Sequence, residues 1–173
     1  MSKDLSASVT ENLSLSDRLA AAYKRLAASS EVLNAASDEF SKPILELDAA
    51  LQKLNIGLIT WQKVAGDEDH NGGYWSRDVG YAKVDGKWGL AIRTVDGHHS
   101  WAEDDIEQWL FHDAPRSYRI EALEKLPDLL EGLIKNSDKT AKKLKEKAVE
   151  ARELAAALKQ AADELKQQKK ERR

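Results

Sequence analysis

Apolar residues recur at every seventh position in both halves of the chain. A second set of alanine, tyrosine, isoleucine and leucine residues follows most of them three or four positions later. A seven-residue repeat of this length is typical of helices that pair as coiled coils. We therefore predict one long helical arm at each end of the chain. The main seam is Leu19, Leu26, Leu33, Phe40 and Leu47 in the first arm, and Leu144, Leu158 and Leu165 in the second.

The segment between the arms, residues 55–117, has a different pattern. Short runs rich in aromatic and β-branched residues are separated by glycine, aspartate and asparagine, which is typical of strands and turns. Four of the five tryptophans lie between positions 61 and 101. We expect Trp61, Trp75 and Trp88 to contribute to the core of this head. The predicted strands are residues 55–64, 74–84 and 87–95.

The last two predicted strands form a hairpin. Asp85-Gly86 between them suits a two-residue type I′ turn, which places Val84 opposite Lys87. In this register one face is apolar, with Val79, Tyr81, Leu90 and Ile92. The other face is small and nearly flat, so a helix or another backbone can approach it closely. We predict that this small face is an interaction surface, formed by Gly80, Ala82, Gly89 and Ala91.

The stretch DGHHSWAEDD, residues 96–105, is the one place that resembles a chemical site. Two adjacent histidines precede three acids, which raises the possibility of metal binding or acid–base catalysis. We interpret the segment differently, as the end of a strand followed by a helix over residues 101–111. Ser100 and Glu103 fit a capping box, and acids in the first turn favour the helix dipole.

A metal or catalytic site needs more than this stretch contains. A metal needs three or four converging ligands, and the side chains of His98 and His99 are expected to diverge. Catalysis by either histidine with Asp104 has neither a nucleophile nor a glycine turn of oxyanion-hole type beside it. We therefore predict no catalytic residues, no metal and no cofactor, and we keep an enzyme built on these three residues as the third hypothesis.

Charge and composition narrow the partner classes. Residues 1–54 carry 6 basic and 8 acidic side chains, residues 55–117 carry 6 and 11, and residues 118–173 carry 15 and 11, which gives the net charge of −3. An acidic head disfavours a phosphate backbone, so we do not expect nucleic acid as a partner. With no cysteine, no membrane-length apolar run and no N-terminal apolar core of signal-peptide length, we expect a cytoplasmic protein.

The pattern as a whole predicts an α+β protein. Residues 1–54 and 118–173 are expected to form a long antiparallel coiled-coil hairpin, and residues 55–117 a small antiparallel β-meander with a short helix. This layout is similar in outline to that of prefoldin subunits, but no motif is shared and we carry no function over. We interpret the chain as a scaffold, adaptor or assembly factor that binds a protein partner or copies of itself. The main alternative is a head that binds a ligand or nucleic acid on an oligomerising stalk.

Overall fold

The protein is mixed helix and sheet. A computed structural model describes residues 14–171. None of the helices in this range is both long and apolar enough to cross a membrane. The elements are α1 (Leu15–Leu54), β1 (Thr60–Glu68), β2 (Gly73–Val84), β3 (Lys87–His98), β4 (Asp105–Leu110), α2 (Arg116–Ala122), a 3-10 turn (Leu123–Lys125) and α3 (Leu126–Glu171).

The chain divides into two compact units, of which the first ends at Glu46 and the second begins at Leu47. The described part of the first unit is almost entirely α1. Ser14 starts this helix, because its hydroxyl oxygen accepts a hydrogen bond from the backbone N–H of Asp17 at 3.2 Å. The same hydroxyl donates to the Asp17 carboxylate at 2.7 Å. These bonds supply an N-cap, which satisfies a backbone donor that would otherwise lack a partner in the first turn.

The second unit is built on a four-stranded antiparallel sheet with the strand order β1-β2-β3-β4. Its central hairpin turns at Asp85 and Gly86, whose φ angles are 48° and 82°. Positive φ at both central positions is what a type I′ turn requires. Val84 lies opposite Lys87, and the predicted register of β2 against β3 is confirmed along the hairpin.

The outer strands differ from the prediction. β1 begins at Thr60, later than predicted, and ends at Glu68, beyond the predicted end of the strand at residue 64. The prediction of a helix over residues 101–111 is wrong, because residues 105–110 form β4. Ile106 and Leu110 are four residues apart, so they share a face in a helix and equally in a strand. Pairing with the open edge of β3 satisfies backbone groups of both strands, and this decides between the two structures.

The apolar face of the sheet is covered by the beginning of α3. The side-chain amide of Asn136 donates a hydrogen bond to the hydroxyl of Thr60 at 2.9 Å. Thr60 lies opposite Tyr81 in the sheet, so α3 lies on the face that Tyr81 and Ile92 share. Full burial of a leucine side chain contributes about 1.5–3 kcal/mol. The buried leucines of α3 are Leu126, Leu129 and Leu133.

The small face of the sheet is covered by the last turns of α1 and by Trp61. The carboxylate oxygens of Asp48 lie 3.1 and 3.2 Å from the place that a Cβ atom on Gly89 would occupy. A Cβ atom on Gly80 would overlap the ring of Trp61. Both glycines are therefore required for close packing of the covering groups against the strands.

Asp48 also completes the backbone hydrogen bonding of β3. Where β4 ends, the N–H of Phe111 donates to the carbonyl oxygen of Leu90 at 2.8 Å. In an antiparallel strand the N–H and C=O of one residue point to the same side. The N–H of Leu90 is thus directed past the end of β4, where it donates to Asp48 Oδ1 at 2.7 Å. Burial raises the pKa of the Asp48 carboxyl, although this bond and one from Gln52 oppose the shift.

The three tryptophans predicted in the core do not all lie there. Trp61 and Trp88 are half-buried, and Trp88 stacks on Tyr81 with 5.6 Å between ring centroids. Trp75 is 41% exposed, so its assignment to the core is wrong. Trp75 lies on the expected side of the sheet. It is opposite Asp96, near the end of the sheet that is far from the Asp85-Gly86 turn. Alternation along a strand predicts which face a residue is on, and it does not predict how far the covering helix extends.

We predict that Asp48→Ala lowers the free energy of unfolding by about 1–3 kcal/mol, because the Leu90 N–H becomes a donor without an acceptor. Asp48→Asn keeps an acceptor oxygen without a charge, and we expect it to retain at least the wild-type stability. Chemical denaturation of the three proteins at pH 7 measures the difference. Equal stability of the Ala and Asn variants would show that the hydrogen bond from Leu90 contributes nothing.

The raised pKa of Asp48 also predicts a pH dependence. The folded chain holds this proton more tightly than the unfolded chain, so the contribution of Asp48 to stability is complete below the ordinary value of 3.8. This contribution is lost as the pH rises through the folded pKa. The stability of the wild type minus that of Asp48→Asn should therefore fall with rising pH across this window. Denaturation at a series of pH values checks the sign, and a rising difference would contradict it.

Candidate functional site

Among residues 14–171, the two long helices carry most of the exposed large apolar side chains. On α1, Leu19, Leu26 and Leu33 are between 52% and 71% exposed. On α3 every residue from Ala141 to Gln168 is exposed. The predicted seam residues of this segment, Leu144, Leu158 and Leu165, are between 60% and 73% exposed. We call the α1 set the first stripe and the α3 set, together with Leu154, the second stripe.

The stripes are helical as expected, but the predicted coiled-coil hairpin is not shown. Two other members of the seam, Phe40 and Leu47, are half-buried. The remaining leucines have most of their side-chain surface open to water, and each would gain stability from an apolar partner. Single exposed leucines are ordinary, whereas rows of them on one helix face mark sites where proteins associate. Such rows are typical of helix surfaces that a second helix covers.

The second candidate is the far end of the sheet, where aromatic and acidic side chains meet. A cavity of about 310 Å³ lies there between the β1–β2 turn and the loop after β3. Trp101 is 58% exposed at its edge, beside the partly exposed Trp75. We call this cavity and its lining the acidic end. Its side chains are Asp67, Glu68, Asp69, Tyr74, Trp75, Asp96 and Trp101.

Hydrogen bonds fix several of these side chains. The phenol of Tyr74 donates to Asp104 at 2.5 Å, and this bond raises the pKa of the Tyr74 phenol. His99 Nε2 lies 2.8 Å from the carboxylate of Glu68, and its ring is 5.4 Å from that of Tyr74. Asp69 accepts hydrogen bonds from the backbone N–H groups of Gly73 and Asn71, which lower the pKa of the Asp69 carboxyl. Asp69 thus organises the β1–β2 turn.

The residues of the predicted chemical stretch are separated by these bonds. His98 Nδ1 accepts from the N–H of Ser100 at 3.1 Å and lies 2.7 Å from its hydroxyl, so Ser100 does not cap a helix. His99 pairs with Glu68, while Asp104 pairs with Tyr74. Within residues 14–171 no three histidine, aspartate or glutamate side chains are arranged to hold a metal ion. Residues 99–104 of the stretch accordingly form the loop that joins β3 to β4, and the remaining residues lie in the two strands.

Arg77 is a site residue that the sequence analysis missed. Its guanidinium lies 3.6 Å from the ring centroid of Tyr118 on α2 and forms an ion pair with Glu121. These contacts join α2 to the sheet beside a groove of about 420 Å³, which continues from Trp75. Arg77 lies two residues before Val79 in β2, so it is on the same side of the sheet as Val79 and Tyr81. A charged residue between the apolar Trp75 and Val79 on this face is the signal that could have indicated it.

The four residues predicted as an interaction surface are all buried. Trp61 lies over Gly80, and Asp48 lies over Gly89, as described above. Ala82 and Ala91 pack with Val84, Trp61 and Leu110. A partner would reach these residues only by displacing side chains of the chain itself. Their small size serves close packing inside the fold.

Comparison of the chain with protein-family models, with curated proteins and with solved structures finds no match.

The exposure of Trp75 and the stacking of Trp88 predict opposite sensitivities to mutation. We expect Trp88→Ala to lower the free energy of unfolding by about 2 kcal/mol or more, because it removes the partly buried ring that stacks on Tyr81. Trp75→Ala should cost less than about 1 kcal/mol, since it mainly removes a weak cation–π contact with Arg77. Denaturation followed by circular dichroism compares them. Equal losses would place Trp75 in the core.

Proposed function

We propose that this protein is a scaffold, adaptor or assembly factor that binds other proteins, or copies of itself, through the stripes of its two long helices. The observation that carries the proposal is the exposure of Leu19, Leu26, Leu144, Leu158 and Leu165 in rows at heptad spacing. In this proposal the helices form coiled coils when bound. The role requires no catalytic step, and we expect none.

The separation between core and stripe supports this function. In α3, Leu126, Leu129 and Leu133 are buried against the sheet, and leucines continue on the same helix after all cover from the sheet has ended. Leucines that merely extended the core would be covered by the strands. An apolar row that continues past the fold is stabilised by burial only when a second surface covers it.

The acidic end supports a second candidate, a head that binds a ligand. Trp75 and Trp101 are exposed beside a cavity whose polar lining is acidic. Aromatic faces and carboxylates both attract cations, whereas carboxylates repel a phosphate backbone. A cationic group therefore fits this cavity better than nucleic acid does. We rank this candidate second, because the lining groups Glu68, Asp69 and Tyr74 already have partners in His99, two backbone N–H groups and Asp104.

The proposed function is tested by capture of partners from a native lysate with the tagged full-length chain, with and without nuclease. We predict a nuclease-resistant protein partner, either a different protein or an untagged copy of this chain. Leu158→Ser/Leu165→Ser should reduce its recovery tenfold or more, since each buried leucine contributes about 1.5–3 kcal/mol.

The matched control is Gln160→Ser/Gln167→Ser, which introduces the same residue on the polar face of the same helix segment. Helix propensity changes similarly in both pairs, and the control removes only an exposed hydrogen bond from Gln160 to Glu164 of the same helix, so the apolar contact is the main difference between the pairs. We expect the control to bind as the wild type does. Equal recovery with both pairs would contradict binding through the second stripe, and recovery that depends on nucleic acid would contradict the ranking of the two candidates.

A further inference from the structure

We propose that the exposed segment of α3, residues 141–168, pairs antiparallel with the same segment of a second copy of this chain. The proposal rests on the proposed function, because it identifies an occupant for the second stripe. Side-chain size and charge along this one segment define the register. In that register Ala151 lies opposite Leu154 of the second copy.

The core of such a pair alternates large and small side chains. Leucine and alanine are interspersed on the two apolar rows of the segment. With Ala151 opposite Leu154, Leu144 lies opposite Ala161 across an antiparallel interface. Leu158 then meets Lys147, whose aliphatic stem can cover the leucine while its ammonium group stays in water. Because a leucine faces a small residue in two of these three layers, the helix axes can approach closely.

A third row of small residues flanks this core. It consists of Ala141, Ala148, Ala155 and Ala162. These alanines are seven residues apart, and each lies four positions after a member of the row that contains Leu144 and Leu158. In the proposed register Ala148 of one copy adjoins Ala155 of the other. In a parallel pair these alanines would occupy the flanking positions that normally carry charged partners, so no interhelical ion pair would form there. The alanine row therefore favours the antiparallel arrangement.

Charges on the other flank select one register. With Ala151 opposite Leu154, Lys143 of each copy adjoins Glu164 of the other, which gives two favourable pairs. In the two neighbouring registers the numbers of the paired residues add up to seven fewer or seven more. The first brings Glu150 beside Glu150 of the second copy, and the other brings it beside Glu164. Like charges at this flank destabilise a pair, as they do within helices. Glu150 is instead bound by Lys147 of its own helix at 2.6 Å.

A parallel pair in register has a further cost. Lys147 lies on the same heptad row as Leu154 and Ala161. In a parallel dimer two Lys147 side chains would meet across the axis at a core position, where a lysine lowers stability. The antiparallel pair places each Lys147 against a leucine instead.

Charge exchange in the full-length chain tests the register. Lys143→Glu and Glu164→Lys should each weaken the dimer by about tenfold, because both pairs become repulsive. The double variant, Lys143→Glu/Glu164→Lys, restores both pairs and should regain most of the wild-type affinity. Sedimentation equilibrium measures the dimer dissociation constants, and circular dichroism checks that helix content is unchanged.

Cysteine linking gives a second readout, since the chain has no cysteine of its own. A mixture of Ala148→Cys and Ala155→Cys chains should form a disulfide-linked dimer under mild oxidation. Either variant alone should form little, because equal positions lie about 10 Å apart along the axis in this register. A parallel pair should link in neither case, because it places this row of the two helices on opposite sides of the interface.

Each outcome decides the proposal. The proposal is supported if each single charge exchange weakens the dimer, the double variant restores its affinity, and disulfide linking occurs only in the mixture. If the charge exchanges leave the dimer dissociation constant unchanged, yet Leu158→Ser/Leu165→Ser dissociates the dimer, this register is overturned while the proposed function stands. A monomer at all concentrations overturns pairing between copies, as it would if α3 paired with α1 of the same chain. Capture of a different protein by the second stripe would then still support the proposed function.

Discussion

The Asp85-Gly86 turn fixes which side chains of β2 and β3 face each side of the sheet, and the rest of the unit that begins at Leu47 depends on that choice. A change of register by one residue would exchange the two faces. In the observed register, large apolar residues face the start of α3, and glycine and alanine face the end of α1. The large face binds a helix through leucines, while the small face admits a carboxylate close to its backbone.

The sequence predicts the parts of this fold that depend on neighbouring residues of the chain, and it fails where the structure depends on distant ones. The hairpin was predictable because its turn requires positive φ at two adjacent residues, which Asp85 and Gly86 tolerate. β4 was not, because six residues with Ile106 and Leu110 fit a helix and a strand equally well. The open edge of β3 decides between them, and this edge exists only in the folded sheet. The same limit applies to Trp75, whose exposure depends on where α2 and α3 lie.

The candidate surfaces were predictable to different degrees. Heptad spacing depends on the helix alone, so the stripe positions of Leu144 and Leu158 follow from the sequence. The acidic end requires the β1–β2 turn and the loop after β3 to meet, which places Tyr74 beside Asp104 across thirty positions of the chain. The predicted binding role of Gly80 rested on its flatness, and the same flatness allows Trp61 to cover it.

The residues of α3 that stabilise the fold differ from those that carry the proposed binding. The helix is anchored where Leu129 and Leu133 are buried, and Asn136 forms its hydrogen bond to the sheet close to the point where burial ends. Beyond Ala141 the helix has no cover from the strands, so a substitution there changes the contact surface without opening the core. Most of the stability of a helix in a protein comes from the packing of its apolar face rather than from helix propensity. Burial of the second stripe would therefore stabilise the helix as well as join the partners, which couples helix stability to association.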